Sequence, residues 1–217
     1  MGGFKNNNLN VDFENGILDN IVARLVKCSD DMRAVCITES ILLFRHEDKI
    51  TNRLHEYHLN DKQQVLRFSI QSQESYDPLT DCYKGRADIK VVSCNYFLNE
   101  KDYYLIECKL IDGRSDLNRK YVDEGVARFV GSHPKYPSPN SKNIMFGYIT
   151  ENIDVEQNTA KIGGLQTRRL LGVVSGKFVK KESYGTHDHS YSCDYKSNDA
   201  EIELRHLFYD FSDVIRN

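Results

Sequence analysis

The chain has 217 residues, 40% hydrophobic and 28% charged, with a net charge of −3. That is ordinary for a folded protein and long enough for one sizeable α/β domain with a real core. No apolar run approaches the roughly 20 residues a bilayer-spanning helix needs, which excludes such a span.

The first residues, Met1-Gly2-Gly3-Phe4-Lys5, offer no apolar segment for a signal peptide. Met1-Gly2 could open a myristoylation signal, but Asn6 stands where Ser or Thr is expected. Thirteen Tyr and ten Phe with no Trp predict a core rich in single rings. The six cysteines, Cys28, Cys36, Cys82, Cys94, Cys108 and Cys193, are scattered without a CxxC pair. A structural zinc site is therefore not expected, and the reading is a reducing, cytoplasmic protein. Between Arg114 and Lys181 there are twelve Lys and Arg against six acids, a surplus of six cations, so the remainder carries nine net negative charges. Such a basic half is compatible with a bound polyanion, and equally with an unevenly charged solvated surface.

Along the chain, Phe13, Ile17, Ile21, Val22, Leu25 and Val26 have helical spacing over Asn10 to Cys28, with Asn10 or Asp12 as cap and a break at Ser29-Asp30-Asp31. A second helical stretch is predicted from Ile41 through Ile50, Leu54 and Tyr57, ended by Asn60-Asp61. From Val65 the pattern turns to period two. Strands are expected at Val65–Ser72, Ala87–Ser93 and Tyr103–Ile111, separated by a turn at Pro78 and a polar turn at Leu98–Asp102. A helix over Leu117–Val130 follows, with Tyr121 in its core stripe. Then come a proline-rich loop to Lys142 and a strand over Asn143–Thr150. Gly163–Val179 suggests a further helix or strand pair, Lys181–Asn198 a polar loop, and Ile202–Phe211 a closing strand or short helix. The expectation is one α/β domain over 1–217: a core at about 47–150, N-terminal helices at 10–59 and a C-terminal elaboration at 151–217.

The chemistry enters in the strand Tyr103–Ile111. Glu107 and Lys109 are two apart and share a face with Leu105 and Ile111. Two charges on an apolar strand are costly unless paired, solvated at a cleft or bound to a cation. Asp88 lies in the preceding strand, and a short turn would make the two strands an antiparallel hairpin. Neighbouring carboxylates offer hard oxygen ligands for Mg2+ or Mn2+, and a lysine beside the ion can orient an attacking water. The competing reading is a surface hairpin with an exposed Glu107–Lys109 ion pair, worth little energetically. Apolar neighbours on both faces favour a central strand instead.

At Asp88 and Glu107-Cys108-Lys109 the sequence resembles the PD-(D/E)xK, restriction-endonuclease-like nuclease superfamily. Asp88 matches the first acid, though Ala87 rather than Pro precedes it, and Glu107-Cys108-Lys109 matches the second acid, spacer and lysine. Glu47 matches the further acid carried on a preceding helix. The resemblance covers about Glu47 to Ile149. It implies a mixed central β-sheet flanked by helices and magnesium-dependent cleavage of DNA, with RNA not excluded. It further implies metal held by Asp88, Glu107 and Glu47, water oriented by Lys109, and phosphates met by Arg119, Arg128 and Lys120 on the helix after the motif. A role in restriction or phage defence, as a homodimer or beside a partner subunit, belongs to the same resemblance. Two alternatives remain open: a silent nuclease fold that binds nucleic acid, and a protein-interaction adaptor.

Other features point elsewhere only weakly. His187-Asp188-His189 with Cys193 and Asp194 has metal-like spacing, but in a polar segment that reads as loop. His55 and His58 lie on a predicted helix as surface or core residues. Arg168-Arg169 and Lys180-Lys181 read as solvated pairs. There is no phosphate-binding loop ending in Lys-Ser or Lys-Thr, no GxSxG and no HExxH, so an ATPase, a serine hydrolase or a zincin is unsupported.

Overall fold

The computed structural model describes residues 7–60, 65–93, 99–198 and 200–216, with side chains from Gly16 onward. Asn6, Asp61, Cys94 and Leu98 of the readings above lie outside that set, as do the side chains of Asn10, Asp12 and Phe13.

Helix α1 runs unbroken over Asn7–Thr38, beginning upstream of both expected caps. The break at Ser29-Asp30-Asp31 does not occur, because these residues fit the helical faces. Leu18, Ile21, Val22, Leu25, Cys28, Ser29, Met32 and Cys36 form one buried stripe at steps of three and four, with Ser29 fully buried in it. Asp31 pairs outward with Lys27 one turn back, at 2.9 Å, and Asp30 accepts a hydrogen bond from the Tyr209 hydroxyl.

The second helical segment starts later than expected. Ile41–His46 is not helical, and Leu43 bridges Ile215 through paired backbone bonds. Helix α2 spans Glu47–Leu54 and runs into a π-helical turn over His55–Leu59. Ile50 and Leu54 are buried, which leaves Glu47 and Asp48 in the first turn, where the helix dipole favours acids.

Seven strands form one mixed sheet in the order β1-β2-β3-β4-β7-β6-β5. Their ranges are β1 Arg67–Asp77, β2 Cys82–Val92, β3 Tyr103–Ile111, β4 Lys142–Ile149, β5 Val179–Lys180, β6 Ser190–Ser197 and β7 Ala200–Asp210. The β1–β2 hairpin is longer than the sequence suggests, with its turn confined to residues 78–81. Strands β2 and β3 are antiparallel, whereas β3, β4 and β7 run parallel. Between β3 and β4 lies α3, Ser115–Lys120, which passes through a π turn at Tyr121–Gly125 into a short 3-10 turn at Val126–Arg128 rather than continuing as one helix to Val130.

Helix α4 covers Val155–Arg169, and Asp154 caps it by accepting from the Gln157 N–H. The stretch read as a polar loop over Lys181–Asn198 contains β6, whose Tyr191, Cys193 and Tyr195 are buried. The C-terminal region is no appendage, since β7 lies beside β4 inside the sheet.

Alternation on the central strands feeds two cores. Tyr104, Ile106, Cys108, Ile144, Phe146 and Tyr148 pack against α1 and α2. Leu105, Ile111, Met145 and Ile149 pack with Tyr121, Val122, Val126 and Phe129 after α3 and with Ile162 of α4. Glu107 and Lys109 belong by alternation to the second face. Among the described residues, no helix is long and apolar enough to cross a membrane, and Cys28, Cys36, Cys82, Cys108 and Cys193 are free thiols. Cys108 is fully buried in the core.

Candidate metal centre

The site forms where the sheet forks. Pairing between β2 and β3 runs from Val92↔Tyr103 to Ile89↔Ile106 and stops. One rung further, Asp88 would stand opposite Glu107. Instead the Asp88 carboxylate takes the N–H of Cys108 at 2.7 Å, replacing the lost ladder bond. β2 then continues paired with β1 alone, and α2 brings Glu47 to the opening.

Glu47, Asp88 and Glu107 each offer a carboxylate oxygen within 4.8 Å of the others. Among the described residues this is the one group of three or more potential ligands so gathered. Lys109 sits among them. Its Nζ donates to Glu107 Oε1 at 2.7 Å, to Glu47 Oε1 at 2.8 Å and to the Cys108 carbonyl at 2.8 Å. Glu107 is fully buried and Lys109 is 7% exposed, so the exposed ion pair of the competing reading does not occur. Glu107 has two further partners. Arg128 Nη1 lies 3.0 Å from its Oε1, and the Tyr136 hydroxyl is 2.8 Å from its Oε2 and 2.6 Å from the Arg86 carbonyl.

Burial and crowding raise all three acids. Desolvation pushes up the carboxyls of Glu47 and Asp88 against the pull of Lys109. Desolvation and then the neighbouring Asp88 charge raise Glu107 to about 7, outweighing Lys109 and Arg128. For Lys109 burial acts downward, but Glu107, Glu47 and Asp88 together overcome it, and the ammonium is held above its ordinary value. Both members of the Glu107–Lys109 pair thus shift upward, for different reasons: the acid lacks water, and the base has three acids.

The cleft above these groups has a volume of about 230 Å³ and is lined by Glu47, Asp48, Lys84, Gly85, Arg86, Asp88, Glu107, Lys109, Arg128 and Lys135. Larger clefts lie elsewhere. One of about 520 Å³ between α4 and β6 is lined largely by small and apolar groups such as Gly163, Gly164, Phe178 and Tyr191. Another, of about 700 Å³, includes His187 and His189, but Asp30, Asp213 and Glu151 there are already engaged by Tyr209, Arg33 and Arg45.

No family model, curated protein or solved structure matches this chain.

The four residues read from the sequence as the centre, Glu47, Asp88, Glu107 and Lys109, come together here. Arg128 also reaches the cleft, but it pairs with Glu107. Arg119 and Lys120 are exposed on α3 and do not line the cleft. Arg169 and Lys180 make exposed ion pairs, with Asp123 and with Glu156 and Asp188. His55 is a buried core residue whose Nε2 lies 3.2 Å from the Phe68 carbonyl oxygen.

Sequence reasoning missed Lys84, Arg86, Lys135, Tyr136 and the role of Gly85. A Cβ at Gly85 would fall 2.5 Å from the Tyr136 ring, so the glycine lets that ring pass beneath β2 to reach Glu107. For Lys84 and Arg86 a signal existed, because they precede Asp88 by four and two on the same strand. Tyr136 comes from a proline-rich loop and had no periodicity to mark it.

Proposed function

We propose that this chain is a divalent-cation-dependent nuclease that hydrolyses phosphodiester bonds, above all in DNA, on a restriction-endonuclease-like core. The convergence of Glu47, Asp88 and Glu107 around Lys109 carries the reading. Further support comes from the element order α2-β1-β2-β3-α3-β4, which sets an acid-bearing helix before the motif and a helix after it.

The donor set fits the cation. Three carboxylates offer hard oxygens suited to Mg2+ or Mn2+, and burial, then the Asp88 charge, raises Glu107 to about 7, a crowding that a bound cation would relieve. When bound, the cation would polarise the phosphoryl oxygens, acidify a water and offset charge on the leaving oxygen. Glu47, Asp88 and Glu107 would hold it. Lys109 stays protonated at neutral pH, so once it gives up a bond to one of the carboxylates it would serve as a donor to water and to developing negative charge, not as a base. Arg128 beside Oε1 and the Tyr136 hydroxyl on Oε2 fix the Glu107 carboxylate. Arg86 and Lys135 line the cleft as exposed cations with no side-chain partner among the described residues, and they suit phosphates on either side of the scissile bond.

The test is cleavage of supercoiled plasmid and single-stranded DNA with magnesium or manganese. Lys109→Ala and Asp88→Ala are each expected to lower the rate by about 100-fold or more. Cutting that survives both substitutions would sink the reading, as would the absence of both cutting and calorimetric magnesium binding.

A further inference from the structure

We propose that the outer arm of the β1–β2 hairpin is a platform for unpaired bases, so that the nucleic acid presented to the cleft carries a single-stranded stretch. For what happens in the cleft this rests on the nuclease reading, but the binding it predicts is measured without cleavage.

Only the root of the hairpin is built into the core, through Phe68, Ala87, Ile89 and Val91. Beyond it the arm carries Tyr76, Leu79 and Tyr83 at 52%, 94% and 49% exposure. Scattered exposed apolar residues are ordinary, but these three share one tip. Tyr76 and Tyr83 are a direct cross-strand pair, edge to face with centroids 5.3 Å apart. The Tyr76 hydroxyl donates to Asp81 and fixes its ring.

The arm is also held in place. Gln71 and Ser75 of β1 have a left-handed backbone. Buried Glu74 then meets Lys90 at 3.2 Å, and the Lys90 ammonium lies over the Tyr103 ring. On the other strand, the Tyr136 ring packs against Gly85. Two rings are thus presented side by side at the tip, open to a flat apolar face.

Charge along the arm selects the partner. From Tyr83, β2 passes through Lys84 and Arg86 to Asp88, about 16 Å of strand at 3.3 Å per residue. Lys84 and Arg86 line the cleft, with Lys135 beside them. The acids of the tip are engaged internally, Asp77 with Lys84 at 3.7 Å and Asp81 with Tyr76. By alternation the rings lie on the opposite face of β2 from Lys84, Arg86 and Asp88, so a strand stacked on the tip would cross the edge of the arm to set its phosphates against the cations and its scissile phosphodiester at the carboxylate centre. A paired base keeps its faces inside the duplex, so this surface distinguishes a single strand or a fork from an intact helix.

The experiment is fluorescence anisotropy in EDTA at 50 mM salt, using a labelled 30-nucleotide strand, a forked duplex and a blunt duplex. Wild type is expected to bind strand and fork about fivefold or more tightly over the blunt duplex. Tyr76→Ala/Tyr83→Ala should lose about tenfold on strand and fork and under about twofold on the blunt duplex. Lys84→Ala/Arg86→Ala should weaken every probe and lower the salt slope on the single strand by about 1.4. If the double tyrosine variant fails to fold by circular dichroism, Tyr83→Ala alone is expected to lose about fivefold on the strand. Equal affinity for strand and blunt duplex, unchanged binding by the tyrosine variants, or no binding to any probe overturns the proposal. Loss of self-association in the tyrosine variants without oligonucleotide binding would assign the tip to a protein contact and overturn it too. Cutting of single-stranded DNA untouched by the tyrosine substitutions keeps the nuclease reading while removing this one, and the predicted binding without any cutting does the reverse.

Discussion

Lys109 commits all three of its N–H donors, two to carboxylates and one to a carbonyl. Removing it leaves buried acids without their counter-charge. Lys109→Met in cation-free protein should therefore cost about 3–5 kcal/mol at pH 8, read by urea denaturation, with much of the loss recovered at pH 5 or with millimolar magnesium. An equal loss at all three conditions would mean that the lysine stem, not its charge, matters. Glu107 supplies a pH dependence of definite sign. The unfolded chain releases its proton near 4.5, whereas the folded chain holds it to about 7. Between those values the folded state binds more protons, so this group makes stability fall as pH rises, by about 3 kcal/mol across the window. Glu107→Gln should flatten that part of the stability–pH curve in EDTA. A slope unchanged by the substitution would place the titration on another group.

The hairpin and the loop that braces it meet at Gly85 and Tyr136. Gly85→Ala should push the ring off Glu107 and cost about 1–3 kcal/mol, seen as a lower urea midpoint and weaker cation binding. Loss of stability with cation affinity intact would show that Tyr136 packs without positioning. Elements rich in buried apolar residues were legible in the sequence: β3 to its end residues, β4 within one residue at each end, and the lower half of α1. The upper half of α1 was hidden because Ser29, a residue typical of breaks, is buried in the helical stripe. The outer hairpin was hidden because most of its residues are exposed, so no alternation in hydrophobicity marks it. The same division holds in the site. Glu107, Lys109 and Asp88 stood out as charges on apolar strands, but Tyr136 reaches them only through a tertiary contact.

Over the whole molecule, stability should be layered around the parallel centre. Amides of β4, hydrogen-bonded on both sides by β3 and β7, are expected to exchange with solvent only on global opening, and those of residues 76–83 by local fraying orders of magnitude faster. Hydrogen-exchange mass spectrometry reads both, and a tip as protected as β4 would contradict it. The placement of β7 also bears on how the protein is made. Strand β4 ends at Ile149 and its partner begins at Ala200, so about 50 residues must leave the ribosome before that edge is covered, several seconds at 5–20 residues per second. During that interval β4, apolar on both faces, is an open edge beside an unfinished charged centre. The nascent chain is then most in need of a chaperone, and a ribosome stalled before residue 200 would hold a sticky fragment with an open strand edge rather than a small finished fold.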